Sequence, residues 1–550
     1  MSELKAKAKN FKKSIVQNGI GTEIRRIKNY MKHKKTVLDP YAEWILLNEP
    51  DEKALEKQKQ YQSCLNTKFA LLVLEDNYQE EFITEQTYAN YTVKVVKPQD
   101  YKAFVKQTDA DYCVFIGKQI QLLPFALYAI EQFLEYNECN LIYADNDFLQ
   151  EGKRINPELK PHFAYDTLLS KNYFGNMVVV KTKFLKANLA ILEEISTIEP
   201  IYHLILRALA KTNKMMHIDT VLYHKLAEVI DTKEQIRLIE EFLIKQQIPY
   251  ERVENGKFKG QYKIQYRLKE EPLVSIIIPN MDHIEDLDKA ISSIASSTYP
   301  HYEVVIVENN SQQAETFAYY EKIQKQDSRI RVVKLQMDHF NYSQIVNYGV
   351  SQAKGTYVVL LNNDIEVITK DWLEQMLMYT QREDVGICGV KLYFSDRSIQ
   401  HAGVTIGVRG LAGHKYREVK EADFSALDQI NYVQDVSAVT AACCMIKKQT
   451  YQELLGFDEK LAVAFNDVDF CLKVRKAKLL IVYNPFVELY HYESKSRGID
   501  DTKEKQKRFA KEYELFVKRW RRMIQKGDPY FNINYRLDTD IPTINYNKIR

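Results

Sequence analysis

The sequence predicts an α/β protein built on doubly wound sheets, with the same unit present twice. Three observations carry this. From residue 273 onward, apolar β-rich runs alternate with helical patterns. The run "YVVLLNNDIEV" at 357–367 ends abruptly in amides and acids, as a core strand does when it delivers polar side chains to a crevice. A weaker echo, "YCVFIGKQIQL" at 112–122, keeps the apolar half and loses the acids.

Taken in order, the chain starts with a basic arm. Its first 35 residues carry eleven Lys or Arg against Glu3 and Glu23. Leu4, Ala8, Phe11 and Ile15 recur at helical spacing, and after "NGIG" so do Ile24, Ile27 and Met31. Such an arm, over about 1–40, can lie on an anionic membrane face or dock on its own chain with its lysines solvated. Further on, "LVSIIIP" is a strand that stops at Pro279, and a helix follows with Leu287, Ile291 and Ile294 on one face. "YEVVIVENN" (302–310) and "IRVVKL" (330–335) are the next strands. A helix through Ile345, Tyr348 and Gly349 then leads into "YVVLLNND". This alternation is that of a doubly wound sheet. Ligands bind beyond the carboxyl ends of such strands, so Asn309, Asn310 and Asp364 are expected at the crevice.

The later segments supply partners. "LAVAFNDVDFCLKVRKA" (461–477) sets Asn466, Asp467 and Asp469 at the start of a helical pattern, where an acid caps a helix or does chemistry. "ELYHYESKSRG" (488–498) places His491 next to Lys495 and Arg497. One Asp, one His and two cations suit a divalent ion and a diphosphate, and a second acid suits a general base. A basic helical run at 503–526 closes the pattern.

Composition bounds these readings. A chain of 550 residues holds two or three domains, and 45% apolar residues suffice for real cores. A net charge of +3 gives no sign of nucleic-acid binding. The 37 Tyr and 24 Phe can fill cores or line sugar-binding surfaces. Seven Cys, without a CxxC pair, fit a reducing cytosol. No signal peptide is visible, and no apolar run approaches the ~20 residues of a spanning helix.

From "VSIIIPN" through "VIVENNS", "LLNNDIEVITKDWLEQM", "GFDEKLAVAFNDVDFCLKVRKA" and "LYHYESKSRG", the sequence resembles family 2 glycosyltransferases of the GT-A fold. It is similar to the tandem-domain, rhamnosyltransferase-like subgroup of bacterial polysaccharide assembly. The resemblance implies two tandem GT-A (Rossmann-like) nucleotide-sugar-binding domains with helical extensions at both ends. It implies Mg or Mn held by Asp364 and His491. Pro279, Glu308, Asn309, Asn347, Asn362, Asn363, Lys495 and Arg497 match donor-binding positions, and Glu366 stands where it can assist the metal. Asp467 matches the base. His401, Gly403, Ala442 and Asp469 are expected to face the acceptor.

The echo extends the resemblance to the first half. Gln119 stands where Asp364 stands, Ile201 falls opposite Asp467, and "VLYH" aligns its His224 with His491. Glutamine cannot neutralise a divalent ion and isoleucine cannot accept a proton, so this copy is expected to be degenerate and non-catalytic. Asp145 and Asp147 form a literal DxD but lie on a later strand. The expected division is a basic arm (1–40), a degenerate domain (41–262), a catalytic domain (263–500) and a helical tail (501–550).

The function expected is that of an inverting, metal-dependent hexosyltransferase. It would move a sugar, best guessed as L-rhamnose from dTDP-rhamnose, onto a growing lipid-linked cell-surface glycan. The expected setting is the cytoplasm, at the inner face of a bacterial membrane. Homo-oligomerisation and partner glycosyltransferases are left open. The alternatives are a UDP-hexose donor or a non-catalytic glycan-binding assembly protein. A pyrophosphorylase is disfavoured, because "IIIPNMDHIEDL" (276–287) has no glycine to cradle phosphates.

Overall fold

The structure is a computed structural model that describes residues 39–60, 65–74, 83, 85–420, 423, 428–492, 502–546 and 548. The basic arm and the stretch carrying Lys495 and Arg497 lie outside the described residues.

Two sheets organise the chain. The second runs, strand by neighbouring strand, Ile330–Lys334, Tyr302–Glu308, Val274–Asn280, Tyr357–Leu361, Cys443–Lys447, Val385–Tyr393, Leu480–His491 and Ile365–Val367. Val274–Asn280, Tyr302–Glu308 and Tyr357–Leu361 are parallel neighbours, so their carboxyl ends meet at one edge. These strands are nearly continuous Val, Ile and Leu because helices cover them. The helix Tyr342–Gln352 lies close on the sheet through Gly349. A Cβ there would sit 2.4 Å from Ile277 and 2.7 Å from Val307, so only glycine permits that approach.

The first sheet repeats this order. It runs Tyr91–Val96, Phe69–Leu74, Tyr112–Ile116, Met177–Lys181, Leu141–Gln150, Met215–Lys225 and Ile120–Leu122. Each strand has its counterpart in the second sheet, in the same place and direction, with Ile330–Lys334 the one addition to the linear path. Registers agree as well. Phe69 faces Tyr112 as Val274 faces Tyr357, and Tyr112 faces Lys181 as Tyr357 faces Lys447. The chain therefore contains the α/β unit twice.

The two units share a core. One continuous apolar cluster runs from Ala70 and Tyr143 through Tyr202 and Tyr262 to Ile276 and Trp372. Tyr266 packs edge-on against Tyr379, and Arg382 lies over the Tyr165 ring. Polar groups cross the same boundary. The Asp166 amide donates to Asp435 at 2.9 Å and the Asp435 amide to Thr167 at 3.0 Å.

The expected helical tail is half helix. Lys503–Lys526 is a single helix whose Phe516 and Trp520 are buried, so this basic run docks on its own chain. The segment after Gly527 is irregular and lies on the first unit, with the His162 amide donating to Pro529 O at 2.8 Å. Among the described residues no helix is long and apolar enough to cross a membrane.

Candidate active site

The strand Tyr357–Leu361 ends where the sequence turns polar, and the next residues are pinned individually. The Asn362 amide donates to Ala442 O at 3.0 Å, and its side-chain oxygen accepts the Tyr342 hydroxyl at 3.0 Å. Asn363 donates to the Asn280 side chain at 2.7 Å. The short strand Ile365–Val367 pairs antiparallel with the end of Leu480–His491, which sets Ile365 opposite His491. The Tyr492 amide closes the pair on Asp364 O at 3.0 Å.

This pairing brings Asp364 and His491 together. Both are nearly buried, at 6% exposure each. His491 Nε2 lies 3.3 Å from Asp364 Oδ1, yet Asp364 Oδ1 has no hydrogen-bond partner. The Asn362 amide nitrogen faces the same Nε2 at 3.3 Å. Asp364 Oδ1 and His491 Nε2, both atoms of ligand type, thus converge on one point. Ligands of one octahedral ion at ~2.1 Å stand about 3 Å apart, so the pair fits a hard divalent cation. Glu366 does not join them, since it accepts the Tyr492 hydroxyl at 2.6 Å.

Asp467 enters from the helix Asn466–Lys476. Its Oδ1 accepts from the Val468 amide at 2.8 Å and its Oδ2 from the Ala441 amide at 3.2 Å. Ala442, one residue on, holds Asn362. The segment 441–442 therefore ties the acid to the metal-type pair. Asp469 has a different fate. It is fully buried and bound by Arg519 at 2.6 Å and Trp520 Nε1 at 2.7 Å, so it anchors the closing helix rather than facing an acceptor.

A cavity of about 990 Å³ opens beyond the ends of Tyr302–Glu308 and Ile330–Lys334, and Asp364, His491 and Asp467 are not among the residues lining it. Glu308, Asn310, Lys334, His339 and Arg508 are among the residues lining it. Glu308 is turned inward, accepting from Ser311 N and Oγ and from the Tyr320 hydroxyl. Asn309 is buried and donates to Leu335 O at 3.0 Å. Glu308 lines the cavity, and Asn309 supports it only through its bond to the lining residue Leu335. Asn347 is spent elsewhere. Its amide bonds Phe457 O and Glu459, and its oxygen accepts Tyr451 OH and Phe457 N, which fixes the loop before Asp467. Pro279 is half-buried on its strand.

On the other flank, His401 is fully buried and meets His414 Nδ1 to Nδ1 at 3.0 Å. The Gly403 amide donates to His401 Nε2 at 3.3 Å. Burial holds the His401 imidazole well below the usual histidine range, with His414 and His491 adding to the shift. It is a neutral support. Gly403 turns at φ +93°, and Ala442 is buried behind Asn362.

Sequence reasoning missed Asn280, Tyr342, Lys334 and Arg508. Asn280 was readable as the polar end of its strand. Arg508 lies on a helix more than 140 residues further along the chain than Asp364 and gave no local signal.

Residues 275–455 match the family model described as Glycosyl transferase family 2. Those residues carry a family 2 glycosyltransferase domain. The uncharacterized protein y4gI of Sinorhizobium fredii is 35% identical over 447 residues, covering 78% of this chain and 48% of that protein. The O-antigen biosynthesis protein RfbC of Myxococcus xanthus is 34% identical over 439 residues, covering 77% of this chain and 33% of that protein. The chain thus spans half or less of these relatives' length. A solved structure of GalNAc-T7 with UDP, GalNAc and Mn2+ aligns at 14% identity over 48% of this chain and 51% of that one, with a TM-score of 0.39.

The first copy has the same frame with different residues at the corresponding positions. Ile120 faces Lys225, as Ile365 faces His491. The histidine position is thus held by Lys225, and the expected match of His224 with His491 is off by one residue. "VLYH" and "ELYH" look alike, but sheet register decides which residue faces the strand end. Lys225 binds Glu158 at 2.8 Å and Glu228 at 3.1 Å. Asp147 accepts Tyr41 OH and Arg154 Nε, each at 2.7 Å, and also bonds His224. Asp145 is committed to Lys160 N, His217 and Asn532. Both acids of the literal DxD are structural.

Proposed function

We propose that the second half transfers a sugar from a nucleotide donor to a hydroxyl of a surface polysaccharide, with inversion, using a divalent cation. The observation that carries the reading is the convergence of Asp364 Oδ1 and His491 Nε2 at 3.3 Å without a hydrogen bond, at the carboxyl end of a core strand.

The donor's nucleoside would occupy the large cavity, its diphosphate running toward Asp364. Lys334 and Arg508 would give the cavity the positive potential an anionic ligand needs. A divalent cation between Asp364 and His491 would neutralise charge on the departing diphosphate. Asn362 and Asn363, held by Tyr342 and Asn280, keep the two ligands in place. Asp467 takes the proton of the attacking hydroxyl. The oxygen then bonds the anomeric carbon as the bond to phosphate breaks, and one displacement inverts that carbon. Lys495 and Arg497, at positions that match the donor-binding pattern, would add positive charge for the diphosphate.

Kinship to an O-antigen biosynthesis protein supports a polysaccharide acceptor, which we take to be lipid-linked and presented at the inner face of the membrane. The donor we favour is dTDP-L-rhamnose, with a UDP-hexose as the second reading. Purified protein tested against a panel of nucleotide sugars, with and without Mg or Mn, checks this. Metal-dependent release of nucleoside diphosphate from one donor is expected. Turnover undiminished by chelation would overturn the cation role.

A further inference from the structure

A second set of ligand-type atoms lies in the first copy, far along the chain from the family 2 domain. His162, His217 and Asp219 bring one ligand atom each within 4.8 Å of one another. His217 and Asp219 sit on Met215–Lys225, two residues apart and so on one face. The register there jumps, Ala144 pairing Ile218 and Asp145 pairing Val221, so the strand bulges at Asp219 and turns its carboxylate toward His217. His162 follows the neighbouring strand Lys153–Glu158 and is half exposed.

The distances suit one small ion. Asp219 Oδ1 lies 3.2 Å from His217 Nδ1, and Asp219 Oδ2 lies 3.8 Å from His162 Nε2. Ligands at ~2.0–2.1 Å from a tetrahedral zinc stand about 3.4 Å apart. The His217 side chain is fully buried, and its Nδ1 and Asp219 Oδ1 make no hydrogen bond. The other ring nitrogen, Nε2, bonds Asp145 Oδ1 at 2.7 Å. That carboxylate holds a proton on Nε2 and turns the Nδ1 edge of the ring toward Asp219 and His162. A carboxylate behind a ligating histidine is the usual outer support of a zinc site.

We propose that His162, His217 and Asp219 bind a zinc-type divalent ion, with Asp145 as a positioning residue and a fourth position open beside the exposed His162. Two imidazoles and one carboxylate favour zinc over the hard ions that suit Asp364. The ion would also lock the closing segment onto the first copy. Asn532 donates to Asp145 Oδ2 at 3.0 Å, Asn534 to Asp219 O at 3.1 Å, and His162 N to Pro529 O at 2.8 Å.

Metal analysis of the full chain after gel filtration, followed by Co2+ titration of the chelator-treated protein, tests this. About one zinc per chain is expected, and visible Co2+ bands of tetrahedral strength. Asp364→Asn should keep both, since it touches only the other site. His162→Ala, at a half-exposed position, and Asp219→Asn should each weaken Co2+ binding at least tenfold. Asp145→Asn should weaken it tenfold or more while the protein stays folded. A folded wild type that holds no zinc and shows no Co2+ bands would overturn the proposal. So would Co2+ binding unchanged in both ligand variants. Either result would make the cluster a hydrogen-bonded His–Asp network only.

Discussion

The two copies share strand order and register, yet they differ at the three places where chemistry would sit. The second copy has Asp364, His491 and Asp467. The first has Gln119, Lys225 and Ile201. The lysine is the instructive change. Where one copy sets a carboxylate and an imidazole facing each other, the other carries its own cation, neutralised by Glu158 and Glu228. A fixed ammonium satisfies the same electrostatic gap that a bound ion would, and it blocks any ion from entering. The fold survives these replacements because the strands, not the site, bury the apolar surface.

The comparison breaks most sharply at the cation pair. Asp364→Asn and His491→Ala are each expected to lower transfer by ~10³-fold or more, at least ~4 kcal/mol of transition-state stabilisation. The corresponding Gln119→Ala should leave the rate within about twofold. Initial rates with the identified donor and saturating Mn2+ measure both. Equal losses from the two halves would mean that both are enzymes.

The base comes next. Asp467→Asn is expected to cut kcat by ~10²–10⁴-fold. Binding of nucleoside diphosphate should persist, because the carboxylate touches Ala441 and Val468 and not the cavity wall. Calorimetric titration with nucleoside diphosphate and Mn2+ separates the two effects. Collapse of binding with kcat retained would make Asp467 a helix cap.

Much of this was legible beforehand, and what was not has a common cause. Apolar runs ending in amides gave the strands, and the ordered Asp364, Asp467 and His491 gave the candidate site, of which the structure pairs Asp364 with His491. Local similarity failed at His224, where a one-residue shift in register reverses which face a side chain occupies. It failed again for residues whose partners lie far along the chain. Asn347 reads as a ligand-binding amide until its bonds to Phe457 and Glu459 are seen. Asp469 reads as a second acid until Arg519 and Trp520 take it up.

The helix that carries the base shows the same divergence in stability. By the alignment of Ile201 with Asp467, His203 stands where Asp469 stands. It is 2% exposed, and it accepts from Ser196 N through Nδ1 at 3.0 Å. Burial pushes its imidazole down to about 4 despite Glu241 nearby. The folded state therefore favours the neutral ring. Below the unfolded value near 6.5 the unfolded chain takes up the proton first, so stability falls as pH drops from about 6.5 toward 4. The full loss is on the order of 3 kcal/mol for this group alone. His203→Gln should flatten that part of the curve of melting temperature against pH. An unchanged slope would assign the acid sensitivity to other groups.

The smallest effect tests the boundary between the copies. Asp166 and Asp435 are both fully buried there, and Asp166 Oδ2 and Asp435 Oδ1 have no hydrogen-bond partner. Burial pushes Asp435 well above the usual carboxylate range, with the Asp166 charge adding to it. Burial also raises Asp166, against the pull of Arg382. A carboxyl raised in the folded state contributes most below its unfolded value, and that contribution is lost as pH rises through the folded one. The junction between the two copies should therefore loosen on the alkaline side. Asp435→Asn keeps the shape and removes the charge, and its backbone bond to Thr167 is untouched. It is expected to stabilise the chain by on the order of 1 kcal/mol, the gain growing with pH. Urea unfolding at pH 6 and pH 9 measures this. A variant less stable than the parent at both values would show that Asp435 is charged at the junction, its charge offset by Arg382, rather than a neutral carboxyl.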